Sequence, residues 1–327
     1  QLYFSSLGPG GFSNYDEKVL AIWTLYGLPM RAVRVPASSA SQVASEAELA
    51  AVDAGPAGEP YGISAVRAVT RTISPAFTAV NTAKGRYYTV KGEIHALAGR
   101  PVQPRLSIDL GSSTELVHGA LVVGGRTQEI ASDPLVTRMI TDSVGSAAEP
   151  PFDATAFYPD RIAVVNRLLR VDGDLWQRLV VVPGQFRATG GAASTTGVQR
   201  LWDQLKVVTY HAPFDVVDFT EPNLWRAAGS RSGNGVRFTI EATDASGVSR
   251  AVILYRIGAG VEWRALDLAL TNPAAGIWTG LLSGTGDAAV EFIAQAVDGA
   301  GNVAWRDNYG DPFLAYRYQA RLPLIVR

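Results

Sequence analysis

The chain contains no cysteine and only three histidines, His95, His118 and His211, among its 327 residues. The first absence excludes disulfides, a thiol nucleophile and zinc–thiolate sites within these residues. The second leaves little for a histidine metal centre. Charge of one sign is missing too. There are 29 Lys and Arg against 30 Asp and Glu, a net charge of −1, with no basic stripe. That is not the electrostatic footprint of a nucleic-acid partner. No apolar run reaches the ~18 residues that a membrane-spanning helix needs. There is neither an initiator methionine nor a leader, so Gln1 reads as the interior of a longer precursor.

Apolar residues make up 47% of the chain and charged residues only 18%. This composition excludes a disordered chain and supports packed cores in roughly two domains. The 33 Gly and 18 Pro, mixed with frequent Thr, Val, Tyr and Trp, favour strands joined by tight turns.

Residues 15–35 hold one expected strand, Val19–Gly27, then a short extended piece closed by Pro36. Residues 37–62 are small and polar, with no apolar stripe, and read as a linker. From Ile63 the texture alternates. The segments SAVRAVTRTI, RYYTVKGEIHAL, PRLSIDL, ELVHGALVVGG, RIAVVNRLLRV, WQRLVVVPGQF and QLKVVTYHA each read as strands with one buried face. DPLVTRMITDSV fits either a short helix or a strand. The last third carries five more strands, VRFTIEATD, SRAVILYRI, EWRALDLAL, GIWTGLLSG and AVEFIAQAVD, separated by Gly-rich turns. About 100 residues of that pattern suit an immunoglobulin-like sandwich, with Trp263 and Trp278 facing inward. The expected fold class is mainly β, with antiparallel sandwiches in series: residues 63–215, then an immunoglobulin-like module over 216–327.

Four motifs suggest chemistry. Leu106–Thr114 imitates the phosphate loop of actin-like kinases, but the alternating strands and helices of those folds are missing, so a strand ending in a polar turn is the better reading. Asp109, Ser112 and His118 can be assembled on paper into a triad. A triad is defined by geometry, and no nucleophile elbow occurs, so no residue is assigned as catalytic. His95 and His211 read as half-exposed sheet residues. The acidic turns at Asp244–Gly247 and Asp298–Asn302 make Asp244, Asp298 and Asn302 the candidate calcium ligands. Neither turn matches the Asp-x-Asp-x-Asp-Gly pattern, and a hairpin turn explains both. No other metal and no other cofactor is expected. Seven tryptophans raise the question of sugar stacking, although most fall inside alternating strands, where core packing is the default.

The motifs carry a resemblance. Trp23–Val33, with Tyr26-Gly27-Leu28-Pro29-Met30, resembles the close of the catalytic domain in gingipain-like cysteine peptidases, except that Leu28 stands where that family commonly has Asp. Phe157-Tyr158-Pro159-Asp160, Leu179–Phe186 and Gln199–Tyr210 are similar to segments of the accessory β-domains of those peptidases. Ala296–Ala304 is similar to the strand-and-turn ending of bacterial immunoglobulin-like or fibronectin-like modules, and RLPLIVR resembles short tails of exported bacterial proteins. The resemblance implies that residues 1–36 are the final strand segment of an upstream catalytic-like domain. It also implies that the catalytic Cys and His of the family would lie upstream of Gln1, so no catalytic role is carried onto this chain. The implied function is a non-catalytic accessory region of an exported, extracellular or surface-bound peptidase. Its implied partners are the catalytic domain of the same precursor, cell-surface ligands or further copies of itself. A structural or adhesive surface protein and a carbohydrate-binding module are the alternatives. A row of two or three exposed Trp or Tyr residues on one sheet face would mark the last.

Overall fold

The computed structural model describes residues 66–111, 114–137, 155–169, 175–190 and 196–315, and the backbone of 50–56. All of them belong to one compact unit. Residues 1–36, the segment 138–144, Ser112 and the RLPLIVR tail lie outside the described residues.

The unit is built from antiparallel strands. In chain order these are β1 (Ala50–Pro56), β2 (Arg67–Ile73), β3 (Phe77–Thr82), β4 (Gly85–Val90), β5 (Ile94–His95), β6 (Gln103–Pro104) and β7 (Leu106–Asp109). There follow β8 (Glu115–Ser132), β9 (Ala163–Leu169), β10 (Leu175–Val181), β11 (Gly184–Ala188) and β12 (Gly197–Pro213). The last third adds β13 (Asn223–Ser232), β14 (Gly235–Thr243), β15 (Val248–Ile257), β16 (Glu262–Asp267), β17 (Ala269–Asn272), β18 (Ile277–Ser283), β19 (Val290–Asp298), β20 (Val303–Arg306) and β21 (Phe313–Leu314).

The mainly-β expectation holds. β1 departs from the sequence reading, because part of the expected linker, Ala50–Pro56, pairs antiparallel with β2. Backbone pairing needs only a free strand edge and no apolar stripe, so the composition of 37–62 gives no warning of it. The expected single strand WQRLVVVPGQF is two strands, β10 and β11, and the break falls at Pro183, which has no N–H to give a ladder.

Two sandwiches form. In the first, the sheet β7-β10-β9 faces β2, β12 and β8 across a core that includes Ile108, Val117, Ile162, Leu179 and Leu205. In the second, the sheet β13-β14-β18-β17 faces β16-β15-β19-β20, the immunoglobulin-type division, around Phe238, Ile253, Trp278 and Phe292. Trp278 fills the second core, as expected, whereas Trp263 is buried in the first core, because β16 crosses onto β8.

The sandwiches share a sheet. The order β1-β2-β12-β8-β16-β15-β19-β20 is continuous, and it crosses from the first to the second through Glu262–Arg264 of β16 paired with Gly124–Arg126 of β8. Glycine makes this crossing fit. A Cβ on Gly125 would lie 2.5 Å from the Gln204 carbonyl oxygen and 2.9 Å from the Trp202 ring. At the crossing the Trp202 and Trp263 rings pack 5.4 Å apart, and the Trp263 indole N–H donates to Thr127 Oγ1.

Polar side chains complete the joint. β16 pairs with β8 only over Gly124–Arg126, so on that side the backbone of Val122 has no strand partner. The fully buried Gln295 of β19 supplies it, accepting from Val122 N at 3.0 Å and donating to Val122 O at 2.8 Å. Its amide acts as a one-residue strand. Gln177 of β10 does the same for the start of β8, accepting from Val117 N and donating to Glu115 O. An ion-pair chain adds to this. Arg200 and Arg256 both donate to Glu129 Oε1, at 2.8 and 3.2 Å, and Arg256 also bonds Glu291 at 2.6 Å. Burial alone would raise Glu129, but the two guanidiniums outweigh it and hold the carboxyl below its ordinary value.

Candidate functional site

Three carboxylates converge at one end of the second sandwich. Asp244 closes β14, Asp298 closes β19 and Asp218 sits in the segment between β12 and β13. Each offers an oxygen within 4.8 Å of the others. Two of the expected calcium candidates, Asp244 and Asp298, are therefore neighbours, although their turns lie 54 positions apart in sequence (298 − 244). Asp218 was missed. It stands in FDVVDFTEPN, where no motif marks it out.

The local chemistry is that of turns. Asp298 Oδ1 accepts from the backbone N–H groups of Ala300 and Asn302 at 2.9 and 2.8 Å, which folds the β19–β20 hairpin onto its own carboxylate. Gly301 takes a positive φ of 93° there, a backbone conformation that glycine adopts without strain. Asn302 does not point an oxygen at a cation position. Its amide N–H₂ donates to Asp298 Oδ2 at 2.7 Å and to the Asp218 carbonyl at 3.0 Å. Asp244 Oδ1 accepts from Ser246 N and Oγ, both at 2.7 Å.

Like charges this close disfavour one another's ionisation. Burial, with help from Asp244, pushes Asp298 up to about 6, against the pull of its hydrogen bonds from Asn302 and Ala300. The group can be relieved by a proton or by a cation. Calcium asks for six to eight oxygens, and three carboxylates supply part of that shell.

The imitation catalytic motifs separate. The Asp109 carboxylate accepts from the Gly111 N–H at 2.8 Å, an ordinary turn at the end of β7. His118 lies buried in β8 with its ring stacked on Phe219, 4.8 Å between centroids. No hydrogen bond joins Asp109 to His118 among the described residues. His95 is half-buried, as expected, and its Nε2 lies 3.1 Å from the Tyr158 hydroxyl. His211 differs from expectation. It is 2% exposed, because β12 is covered on both sides, and its Nε2 lies 2.9 Å from Thr209 Oγ1.

The tryptophans give no platform. Trp202, Trp263 and Trp278 are buried, and the two exposed ones among the described residues, Trp176 on β10 and Trp225 on β13, belong to different sheets. No row of tryptophans forms on one face among the described residues. No helix in the described residues is long and apolar enough to cross a membrane.

No known protein family matches the chain, and no curated protein does. Among solved structures it is similar to the complex of Porphyromonas gingivalis RgpB pro- and mature domains. The identity is 23%, over 44% of this chain and 79% of that one, with a TM-score of 0.28. At that score the likeness carries no functional argument.

Proposed function

We propose that this chain is a non-catalytic accessory region of an exported gingipain-like peptidase, holding the catalytic part at a fixed position at or outside the cell surface. The observation that carries the reading is the joint between the two sandwiches. A sheet running through both, the Trp202–Trp263 contact, Gln295 on Val122 and the Arg200–Glu129–Arg256–Glu291 chain make one block of two β-sandwiches. Domains that merely follow one another on a chain meet over small polar interfaces and move by default. A shared sheet with a buried joint suits a spacer that fixes a distance. The motif resemblances at Tyr26–Met30 and Ala296–Ala304 supply the peptidase and export context.

Purification of the native protein, with intact mass, N-terminal sequencing and identification of any co-purifying chain, tests the reading. A chain or upstream extension bearing a Cys/His pair, with peptide hydrolysis confined to it, is the expected result. A native protein that lacks such a pair and forms ordered assemblies overturns it in favour of a structural surface role.

A further inference from the structure

Between the edge strand β9 and β8 lies a cavity of about 130 Å³, closed by Phe219 and Glu221 from the β12–β13 segment and by Asn302–Trp305 of the last hairpin. At ~30 Å³ per water, that is room for about four waters or one small ligand group.

Its polar lining is incompletely paired. His118 is 6% exposed, yet neither ring nitrogen has a hydrogen-bond partner. Asn302 and the Asp218 carbonyl are near enough to favour the charged ring, but neither reaches hydrogen-bond geometry. Arg167 reaches in from β9, lies 4.4 Å over the Phe219 ring and leaves Nη1 buried without a partner. The other cation is spent. Arg161 grips Glu221 with two bonds, at 2.6 and 2.8 Å. Arg167 is in no ion pair among the described residues, and burial is the only influence that lowers it, with no carboxylate acting on it. Burial, then the Arg167 charge, keeps His118 below its ordinary value, so the ring is neutral near pH 7 and donates one N–H.

Unpaired buried donors are rare in native proteins, and each calls for a partner. Here the donors are an imidazole N–H and one arm of an uncompensated guanidinium, lining one small cavity. We propose that this cavity binds a carboxylate, with Arg167 and His118 as its donors and Phe219 holding both in place. The guanidinium fork suits a planar carboxylate. The volume admits an acetyl-sized group, so the carboxylate is either a small free acid or the side chain of an acidic residue on a docked peptide. The inference is independent of the accessory role proposed above.

The three histidines make the test direct, since His118 is one of three ring signals in a ¹H–¹⁵N spectrum. The protein is titrated with acetate and, separately, with the capped peptide acetyl-Gly-Asp-Gly-amide at constant ionic strength. A saturable shift of the His118 ring signals with either probe is expected. The probe that binds at least tenfold more tightly identifies the source. In Arg167→Gln the saturable shift should disappear while the melting temperature falls only slightly, because Nη1 has no internal partner and the loss is confined to the stack on Phe219. Arg178→Gln, on the same small sheet and stacked on Trp176, should bind as wild type does. No saturable shift with either probe, or one that survives in Arg167→Gln, overturns the proposal and leaves the cavity to water. If Arg167→Gln fails to fold, Arg167→Lys replaces it. A single ammonium should weaken the carboxylate at least several-fold, and unchanged affinity counts against the site.

Discussion

At the scale of single residues, buried glutamines carry the least expected role. Gln295 sits in AVEFIAQAVD, where its apolar neighbours pack into the cores and its amide pairs with backbone on β8. Substitution by Leu leaves the Val122 N–H and C=O buried and unpaired. At ~1–3 kcal/mol for each of the two stranded groups, Gln295→Leu should cost about 2–6 kcal/mol. Urea unfolding checks this, as a lower midpoint with an unchanged m-value. A second prediction concerns pH. The folded-state value of Asp298 is raised from 3.8 to about 6, so the folded chain holds that proton more tightly than the unfolded chain. The stability this gives is full below pH 3.8 and is lost as the pH rises through about 6. Asp244→Asn removes one like charge but leaves the larger influence, burial. The fall in melting temperature between pH 4 and 7 should therefore shrink without vanishing. An unchanged fall would mean that Asp244 does not act on Asp298. Calcium added to the same pair tests the other means of relief: a rise in melting temperature that the substitution removes would mark a bound cation, and no rise leaves the group to its proton.

At the scale of elements, the pattern of a strand tells which of its faces is covered. β7 and β10 alternate and are covered on one side. β15 has six consecutive buried residues, Ala251–Arg256, and β19 is buried almost throughout. They lie between the two cores: Ala251 and Ile253 face the second, and Val252 and Leu254 face the first and its neighbour. Such unbroken apolar runs belong to strands buried on both faces. In an isolated sandwich one face of β15 would be wet, so the run in SRAVILYRI already marks a covered outer face. β8 turns the same logic around. Its Gly124-Gly125 pair looks like a hairpin turn, but it lies in mid-strand, where β16 and the Trp202 ring approach too closely for a side chain. Gly125→Ala should cost about 1–3 kcal/mol through overpacking. The loss should appear as faster unfolding together with altered indole fluorescence, since Trp202 must shift. An equal loss without a tryptophan signal would place the strain elsewhere.

At the scale of the whole molecule, the shared sheet predicts cooperative behaviour. Two sandwiches joined only by a linker melt independently, whereas these exchange hydrogen bonds, two indole rings and a chain of four charges. Thermal unfolding of the described unit should show one transition by calorimetry and by fluorescence alike. Trp263→Ala removes one of the two indoles of the joint and should cost about 3–5 kcal/mol. It should also split the transition in two, with the immunoglobulin-like module keeping its own Phe238–Phe292 core. A single sharp transition in that variant would mean that the joint does not couple the halves. Glu129→Gln should act in the same direction more weakly, about 1–3 kcal/mol, because the carboxylate is partly exposed and solvent screens it.

Most strands, the antiparallel mainly-β class and the sandwich of the last third could be read along the chain, because alternation and turn residues act over a few positions and need no distant partner; β1, β3 and β13, which lack that alternation, could not. The inward Trp278 followed from the same local pattern, and so did the acidic turns at Asp244 and Asp298, whereas the core that Trp263 enters did not. Everything that joins parts remote in sequence came from folding: the β8–β16 crossing, the meeting of Asp218 with the two turns, the burial of His211, and the cavity that sets Arg167 beside His118. The physical reason is common to all of them. Those properties depend on which face of one strand meets which face of another, and that is chosen by the summed packing of two cores rather than by any window of neighbouring residues.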